Sequence, residues 1–338
     1  MPMKDNALRP EVAVIILNWN GAALMEKYLP SVLKYTPAEI ADVIVADNGS
    51  TDSSIELLTS RFPEVKLLEF DTNHGFAGGY NLAIEQTRYR YTVLLNSDIE
   101  VKEDWLTPLM RYMTENPDAG AVQPKIRSLM KPDTFEYAGA AGGYIDRNGY
   151  PYCRGRIFDS VEVDTGQYDD ITDIFWATGA ALMVDTELYL KVGGLDEQFF
   201  AHMEEIDLCW RIHLAGRRVA VVPESVVYHL GGGSLPASNP RKTYLNFRNS
   251  LLMLHKNLPD SSRERRLLAR RLLDTIAWLK FVATGDFGNA GAIFRAHRDF
   301  SKMREQYTSH PEVDLLGSFP GTDRNILIDY YLKGRRTY

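Results

Sequence analysis

An α/β protein with a mostly parallel central sheet flanked by helices, extended by a helical C-terminal region, is the fold class predicted by this 338-residue sequence. Three observations predict it. Short apolar runs alternate with segments of helical spacing through the first 115 residues. The early runs end in or lead to Asn, Asp, Gly and Ser. The charge changes sign near residue 240.

The elements follow in order. Val12–Leu17 is a continuous apolar run, the mark of a strand buried on both faces. Ala22–Tyr35 has helical spacing. Asp42–Ala46 is a second strand, and the turn and cap residues Asp47-Asn-Gly-Ser-Thr-Asp52 lead into a helix to Arg61. Val65–Phe70 and Tyr91–Leu95 are further strands, followed by helices at Ala77–Arg88 and Glu103–Glu115. Four strand–helix units predict a mostly parallel sheet. Residues 131–170, rich in Gly, Tyr and Asp, have no period and suggest a functional or mobile excursion. Regularity returns with Phe175–Val184, a helix at Glu204–Ala215, and strands near Arg218–Val222 and Val226–His229. Helices are expected at Arg241–His255, Ser262–Ala283 and Ala290–Tyr307. Two parts result: residues 1–240, and a basic, mainly helical region 241–338.

Composition limits the partners. Hydrophobic residues make up 45% and charged residues 25%, with a net charge of −7. Residues 1–240 carry 20 basic and 35 acidic residues, whereas residues 241–338 carry 18 basic and 10 acidic ones. The acidic total argues against bulk nucleic-acid binding, which needs clustered Lys and Arg. Two cysteines, Cys153 and Cys209, are too few for a disulfide framework or a four-Cys zinc site. Cys209 lies on a helical face with Leu208 and Ile212 and reads as buried. MPMKDNALRPE has no apolar stretch of signal-peptide length, and no apolar run is long enough to span a bilayer. A cytoplasmic protein is expected.

Ligands of open parallel sheets bind beyond the carboxyl ends of the strands. Here those ends are Asn18-Trp-Asn-Gly21, Asp47-Asn-Gly-Ser50, Asn73-His-Gly-Phe-Ala-Gly-Gly79 and Asn96-Ser-Asp98. Each alone reads as an ordinary turn; four together suggest a site. The glycines at 75–79 precede a helix and suit a phosphate cradle. They lack the dinucleotide spacing and the Walker lysine. Asp98 has two readings: a ligand for a hard divalent cation, or the cap of the helix near Glu103. Glu204, Glu205 and Asp207 open a helix, where mutual repulsion raises at least one pKa. They read as helix-start decoration or as a tuned general base.

Together the segments VAVIILNWNG (12–21), VADNGSTD (45–52), NHGFAGGYN (73–81), LLNSD (94–98), WATGAALMV (176–184), GGLDEQFFAHMEEIDLCWR (193–211) and VVYHLGGGS (226–234) resemble the family 2 glycosyltransferases of Rossmann-like GT-A fold. The resemblance is closest to the bacterial rhamnosyltransferase-like branch and spans residues 11–235. It implies an inverting, metal-dependent enzyme moving a sugar from a nucleotide-sugar donor to a glycan or lipid-linked glycan in cell-surface polysaccharide synthesis. dTDP-rhamnose is the first donor to consider and a UDP-hexose or other UDP-sugar the second. By the same resemblance, Asn18, Asn20, Asp47, Asn73, Gly75, Gly79, Asn96 and Ser97 line the nucleotide sugar. Asp98 and His229 hold Mn2+ or Mg2+. Glu205 is the base, standing where the family usually has Asp. The longer side chain moves the carboxylate by about 1.5 Å, which leaves Glu204 as the other candidate. Trp176, Thr178, Gly179, Glu204 and Asp207 border the acceptor. A non-catalytic nucleotide-sugar-binding scaffold is the alternative of another class, and retention of Asp98, Glu205 and His229 argues against it.

In the tail, Leu268, Leu272, Ile276, Leu279 and Val282 recur at spacings of three and four behind clustered arginines. Such a helix suits an anionic membrane surface. Lipid-linked acceptors would place that contact at the inner face of the cytoplasmic membrane, through residues 262–283. Packing on the catalytic part or against a second copy in a homo-oligomer is the other reading.

Overall fold

The structure, a computed structural model, describes residues 10–231 and 239–338. The N-terminal MPMKDNALR and Gly232, Gly233 and Ser234 of the YHLGGGS segment lie outside the described residues.

The chain runs β1 (Val12–Asn18), α1 (Ala22–Tyr35), β2 (Ala41–Asp47), α2 (Ser54–Arg61), β3 (Lys66–Glu69), α3 (Gly75–Thr87), β4 (Tyr91–Leu95), β5 (Ile99–Val101), α4 (Thr107–Glu115) and β6 (Ala119–Ser128). Four short strands follow in the 131–170 excursion: β7 (Gly143–Ile145), β8 (Pro151–Cys153), β9 (Arg156–Ile157) and β10 (Ser160–Val161). Then come β11 (Thr172–Asp173), β12 (Ala181–Asp185), α5 (Thr186–Lys191), α6 (Glu204–Leu214) and β13 (Arg218–His229). The C-terminal region holds α7 (Pro240–Asn257), α8 (Asp260–Ala283), α9 (Phe287–Met303) and α10 (Leu315–Ser318).

The main sheet has the order β11-β13-β6-β12-β4-β1-β2-β3, with β5 on β13. Strands β3, β2, β1 and β4 are parallel, as are β6 and β13; β12 enters antiparallel between β4 and β6. Strand alternation feeds two cores. Val12, Val14 and Ile16 of β1 face Met25, Leu29 and Val32 of α1, whereas Ala13 and Ile15 face Tyr80 and Ile84 of α3. That two-sided burial is why β1 is apolar throughout rather than alternating. The second of these cores also takes in Leu251–Leu254 of α7, Leu267 of α8 and Phe300 of α9. The C-terminal helices and the sheet domain therefore share one interior.

Several elements differ from expectation. β6 was not foreseen; it is buried although it carries Gln123, Pro124 and Lys125. Lys125 is accommodated by ion pairs with Asp164, at 3.0 Å, and Asp169. The helix expected from Glu103 starts at Thr107, because Ile99–Val101 pairs with β13. The two strands expected between Arg218 and His229 are one strand whose register shifts between Val222 and Val226.

Candidate active site

The carboxyl ends of β1 and β2 are in register, with Asn18 opposite Asp47. The Asn18 amide donates to Asp47 Oδ2 at 2.8 Å and to Ser50 Oγ at 3.2 Å, and the Ser50 N–H donates to Asp47 Oδ1 at 2.8 Å. Asn20 sits at φ 51°, a left-handed conformation that Asn tolerates better than most residues. Its Oδ1 accepts from the amides of Thr51 at 2.7 Å and Asp52 at 3.2 Å. Asn48 ties the next strand end in. Its Nδ2 donates to Asn73 Oδ1 at 3.1 Å and the Gly75 carbonyl at 3.0 Å, and its Oδ1 accepts from the His74 N–H at 2.9 Å. Asn48 is not among the residues expected to line the nucleotide, although it stands inside the DNGS strand end. A side chain on Gly79 would collide with Leu17 of β1, so glycine lets α3 approach the sheet. The N-cap residue His74 makes no side-chain cap, and Asn73 Oδ1 accepts from the first amide of α3, the Gly75 N–H, at 2.8 Å; the positive end of the helix lies at this edge.

The turn after β4 is fixed by the Asn96 N–H, which donates to the Ala180 carbonyl at 2.9 Å. Ser97 is half-buried beside it. Asp98 does not cap a helix, since β5 follows it. Its Oδ1 lies 3.1 Å from His229 Nε2, and His229 Nδ1 lies 3.4 Å from Glu136 Oε2. Burial alone would lower the His229 pKa; the Asp98 and Glu136 carboxylates beside its two ring nitrogens outweigh it and raise it to about 9. Glu136 was not foreseen, because it lies in the excursion without local pattern. Among the described residues, no group of three or more His, Cys, Asp or Glu side chains could hold a metal ion. Asp98 and His229 still present an oxygen and a nitrogen to one point. That donor set fits a divalent ion completed by ligand oxygens.

The third component is the loop before α6. Phe200, His202 and Met203 all have left-handed backbone, at φ 66°, 69° and 75°. Non-glycine residues there cost of order 1–3 kcal/mol each and persist only where neighbours enforce them. The enforcement comes from α7. The buried Asn249 amide donates to the carbonyls of Phe199 (2.9 Å), Ala201 (2.8 Å) and His202 (2.7 Å). Arg248 donates to the carbonyls of Gln198 and Phe199, both at 2.9 Å.

The loop delivers three carboxylates into different settings. Asp207 is fully buried, yet its pKa is lowered: burial opposes ionisation, but Arg211 at 2.7 Å, Lys256 at 2.9 Å and Asn257 at 2.7 Å prevail. Glu204 and Glu205 each keep one buried carboxyl oxygen without a hydrogen-bond partner. Burial raises both pKa values, aided at Glu204 by the neighbouring Glu205; Glu205 reaches about 7. A poised carboxyl with an unused oxygen is what a general base requires, and a salt-bridged one is not.

Gly179 joins these pieces. A side chain there would meet the Phe76 ring of α3 at 3.4 Å and Glu205 Cβ at 3.7 Å, and the next residue, Ala180, holds Asn96. A side chain on Gly75 would meet Phe200 at 3.7 Å. The start of α3, the Asn96-Ser97-Asp98 turn, Gly179 and the Phe200–Glu205 loop therefore adjoin. Trp176 and Thr178 turn inward instead. The Trp176 indole packs on Gly143, donates to the Tyr144 carbonyl at 2.8 Å and is 4% exposed, because the excursion folds over it. Thr178 is buried, its N–H donating to Gln123 at 2.9 Å. Asp207 is occupied by its cations.

The mostly parallel sheet flanked by helices, with its strand ends gathered at one edge, has the GT-A architecture. Residues 13–167 match the family described as Glycosyl transferase family 2. The N-acetylglucosaminyl-diphospho-decaprenol L-rhamnosyltransferase of Mycobacterium tuberculosis is 27% identical over 64% of this chain and 75% of its own length. The fold is shared with GalNAc-T7, solved with UDP, GalNAc and Mn2+ (TM-score 0.57, 16% identity, 76% of this chain). This chain spans about half, 49%, of that protein. It is shared also with a mannosyltransferase of Pyrobaculum calidifontis solved with GDP-Man and Mn2+ (TM-score 0.52, 18% identity, 88% of this chain and 84% of that one).

Proposed function

We propose that this chain transfers a sugar with inversion from a nucleotide donor to a hydroxyl of a glycan or lipid-linked glycan acceptor. The observation that carries the reading is Glu205, with its pKa raised and one buried oxygen unpartnered, beside Gly179 and one residue from the anchor of the Asn96-Ser97-Asp98 turn. Ionised Glu205 takes the proton of the acceptor hydroxyl. The freed oxygen forms a bond to the anomeric carbon from the face opposite the diphosphate. The anomeric carbon–oxygen bond to the diphosphate breaks, and the nucleoside diphosphate leaves with the electron pair. Asp98 and His229 would hold Mn2+ or Mg2+, which supplies charge neutralisation for that leaving group in place of a general acid. Amides at the start of α3 beyond Gly75 share the charge. Asn18, Asn20, Asp47 and Asn73 hold the strand-end loops around the nucleotide. The similarity to a rhamnosyltransferase favours a deoxysugar donor such as dTDP-rhamnose, with UDP-sugars next.

The test is a screen of nucleotide sugars with Mn2+, reading nucleoside diphosphate release with and without a glycan acceptor, and thermal stabilisation by the nucleotide. Metal-dependent release by the native chain, lost in Asp98→Ala together with metal-dependent nucleotide binding, is expected. No release and no metal-dependent binding with any donor would overturn the proposal.

A further inference from the structure

α8 has two unlike faces. The inner face is packed: Leu267, Arg270 and Asp274 are buried. Arg270 donates to Asp274 at 2.8 Å and to the Gly149 carbonyl at 3.2 Å, over the Tyr150 ring, while Asp274 meets His297 of α9 at 3.1 Å. The outer face carries Leu268, Leu272, Ile276 and Leu279, each between 54% and 63% exposed. At 100° per residue these four fall within about a quarter of the helix circumference, one continuous stripe. Exposed Arg271 borders the stripe on one side and Lys280 on the other, with Arg265 at its start. Just past α8 comes Phe287, 70% exposed.

We infer that this outer face of α8 docks on the surface of a bilayer containing anionic phospholipid. An apolar stripe with a cationic border matches the interface in both respects: the leucines enter the acyl boundary while the arginines and lysine meet phosphate. A symmetric partner copy would meet the same basic border with its own, so like charges would oppose each other across the contact. The helix lies along the surface, since no helix among the described residues is long and apolar enough to cross a membrane.

The docking face also has a physical route to the site. At the start of α9, a side chain on Gly288 would meet Pro240 of α7 at 3.2 Å, and Thr243 bonds Asn289 at 2.6 Å. The adjacent Arg241 lies over the Phe200 ring, 5.0 Å from its centroid. The helical pair and the Phe200–Glu205 loop are thus mechanically continuous. Docking would hold the loop near lipid-borne acceptors; that consequence rests on the transferase reading, whereas docking itself does not.

The experiment is co-flotation of the full chain with vesicles of phosphatidylcholine alone, or of phosphatidylcholine with phosphatidylglycerol in equal parts, without donor or acceptor. Binding to the anionic vesicles is expected, weakened by salt and reduced about tenfold or more in the double variant Leu272→Glu/Ile276→Glu. Arg271→Glu/Lys280→Glu should weaken it too. All four positions are exposed, and an unchanged melting temperature without ligand shows that each variant is folded. Absence of binding by the native chain would overturn the inference. So would equal binding by the apolar double variant, or a concentration-dependent dimer that this variant dissolves while vesicles go unbound. These outcomes are independent of whether any sugar is transferred.

Discussion

The strand-end edge proposed to hold the donor and the loop before α6 proposed to face the acceptor are built on opposite principles. At the donor edge the strand-end residues satisfy one another: Asn18 with Asp47 and Ser50, Asn20 with Thr51 and Asp52, Asn48 with Asn73 and His74. Strand register and glycine contacts bring these groups together, and among them the buried Asn18 Oδ1 is left without a partner. The loop before α6 does the reverse. Its backbone is left-handed at Phe200, His202 and Met203, it needs α7 to hold it, and it ends in two carboxyls with unpartnered oxygens. A binding surface can be preorganised by local hydrogen bonds, whereas a base must be kept partly unsatisfied. The cost of that state is met by a clamp from far along the chain.

The largest expected effect breaks the comparison at its most unsatisfied point. Glu205→Gln should lower the transfer rate by about 10²–10⁴-fold while leaving donor affinity unchanged. Equal loss of donor binding would show that the two regions are not separable. The pH profile sharpens the same test. Burial raises the Glu205 pKa to about 7, so the native kcat should climb as pH rises through that value and the base ionises. Stability runs the other way. The folded pKa lies above the unfolded one, so the favourable contribution is complete below the unfolded value and is lost as pH rises through about 7. Glu205→Gln should therefore match the native melting temperature at about pH 4 and exceed it at about pH 8.

This contrast explains what the sequence disclosed. The strand–helix alternation made the parallel β1–β4 region legible, because each apolar run is buried on both faces and each turn uses turn-forming residues. Glu204, Glu205 and Asp207 stood out as a cluster, but their different fates did not. Arg211 is the i+4 neighbour of Asp207 on α6, but the contacts from Lys256 and Asn257 of α7, which complete the setting that lowers its pKa, are tertiary. β6 escaped notice because Lys125 and Pro124 break an apolar run, and Lys125 is tolerated only through carboxylates about forty residues away. Glu136 reaches His229 from an excursion without periodicity. The burial of Trp176 depends on that same excursion.

An intermediate effect is expected at the clamp. Asn249→Ala removes the donors that hold Phe199, Ala201 and His202, at a cost of roughly 1–3 kcal/mol. A looser loop admits water to Glu205, so kcat should fall about tenfold to a hundredfold with donor affinity retained. The acid limb of the kcat profile should also move to lower pH, as Glu205 returns toward an ordinary carboxyl. Asn249→Asp, which cannot donate, should resemble Asn249→Ala. A lowered melting temperature with an unmoved acid limb would assign Asn249 a purely structural role.

The smallest effect belongs to the donor edge, where many weak bonds share the load. Asn20→Gly keeps the left-handed backbone but removes the oxygen that accepts from Thr51 and Asp52. Both amides are exposed and regain water as a partner, so the penalty should be only about 0.5–1.5 kcal/mol, seen as a few-fold weaker nucleotide binding with kcat unchanged. Asn20→Ala adds the strain of a left-handed alanine, about 1 kcal/mol more. Titrating nucleotide into both variants separates the two contributions, because the Gly variant reports the lost bonds alone. If Asn20→Gly instead lowered kcat as much as Asn249→Ala does, the loops at the donor edge would be coupled to the base, and the division between a self-satisfied binding edge and a clamped catalytic loop would fail.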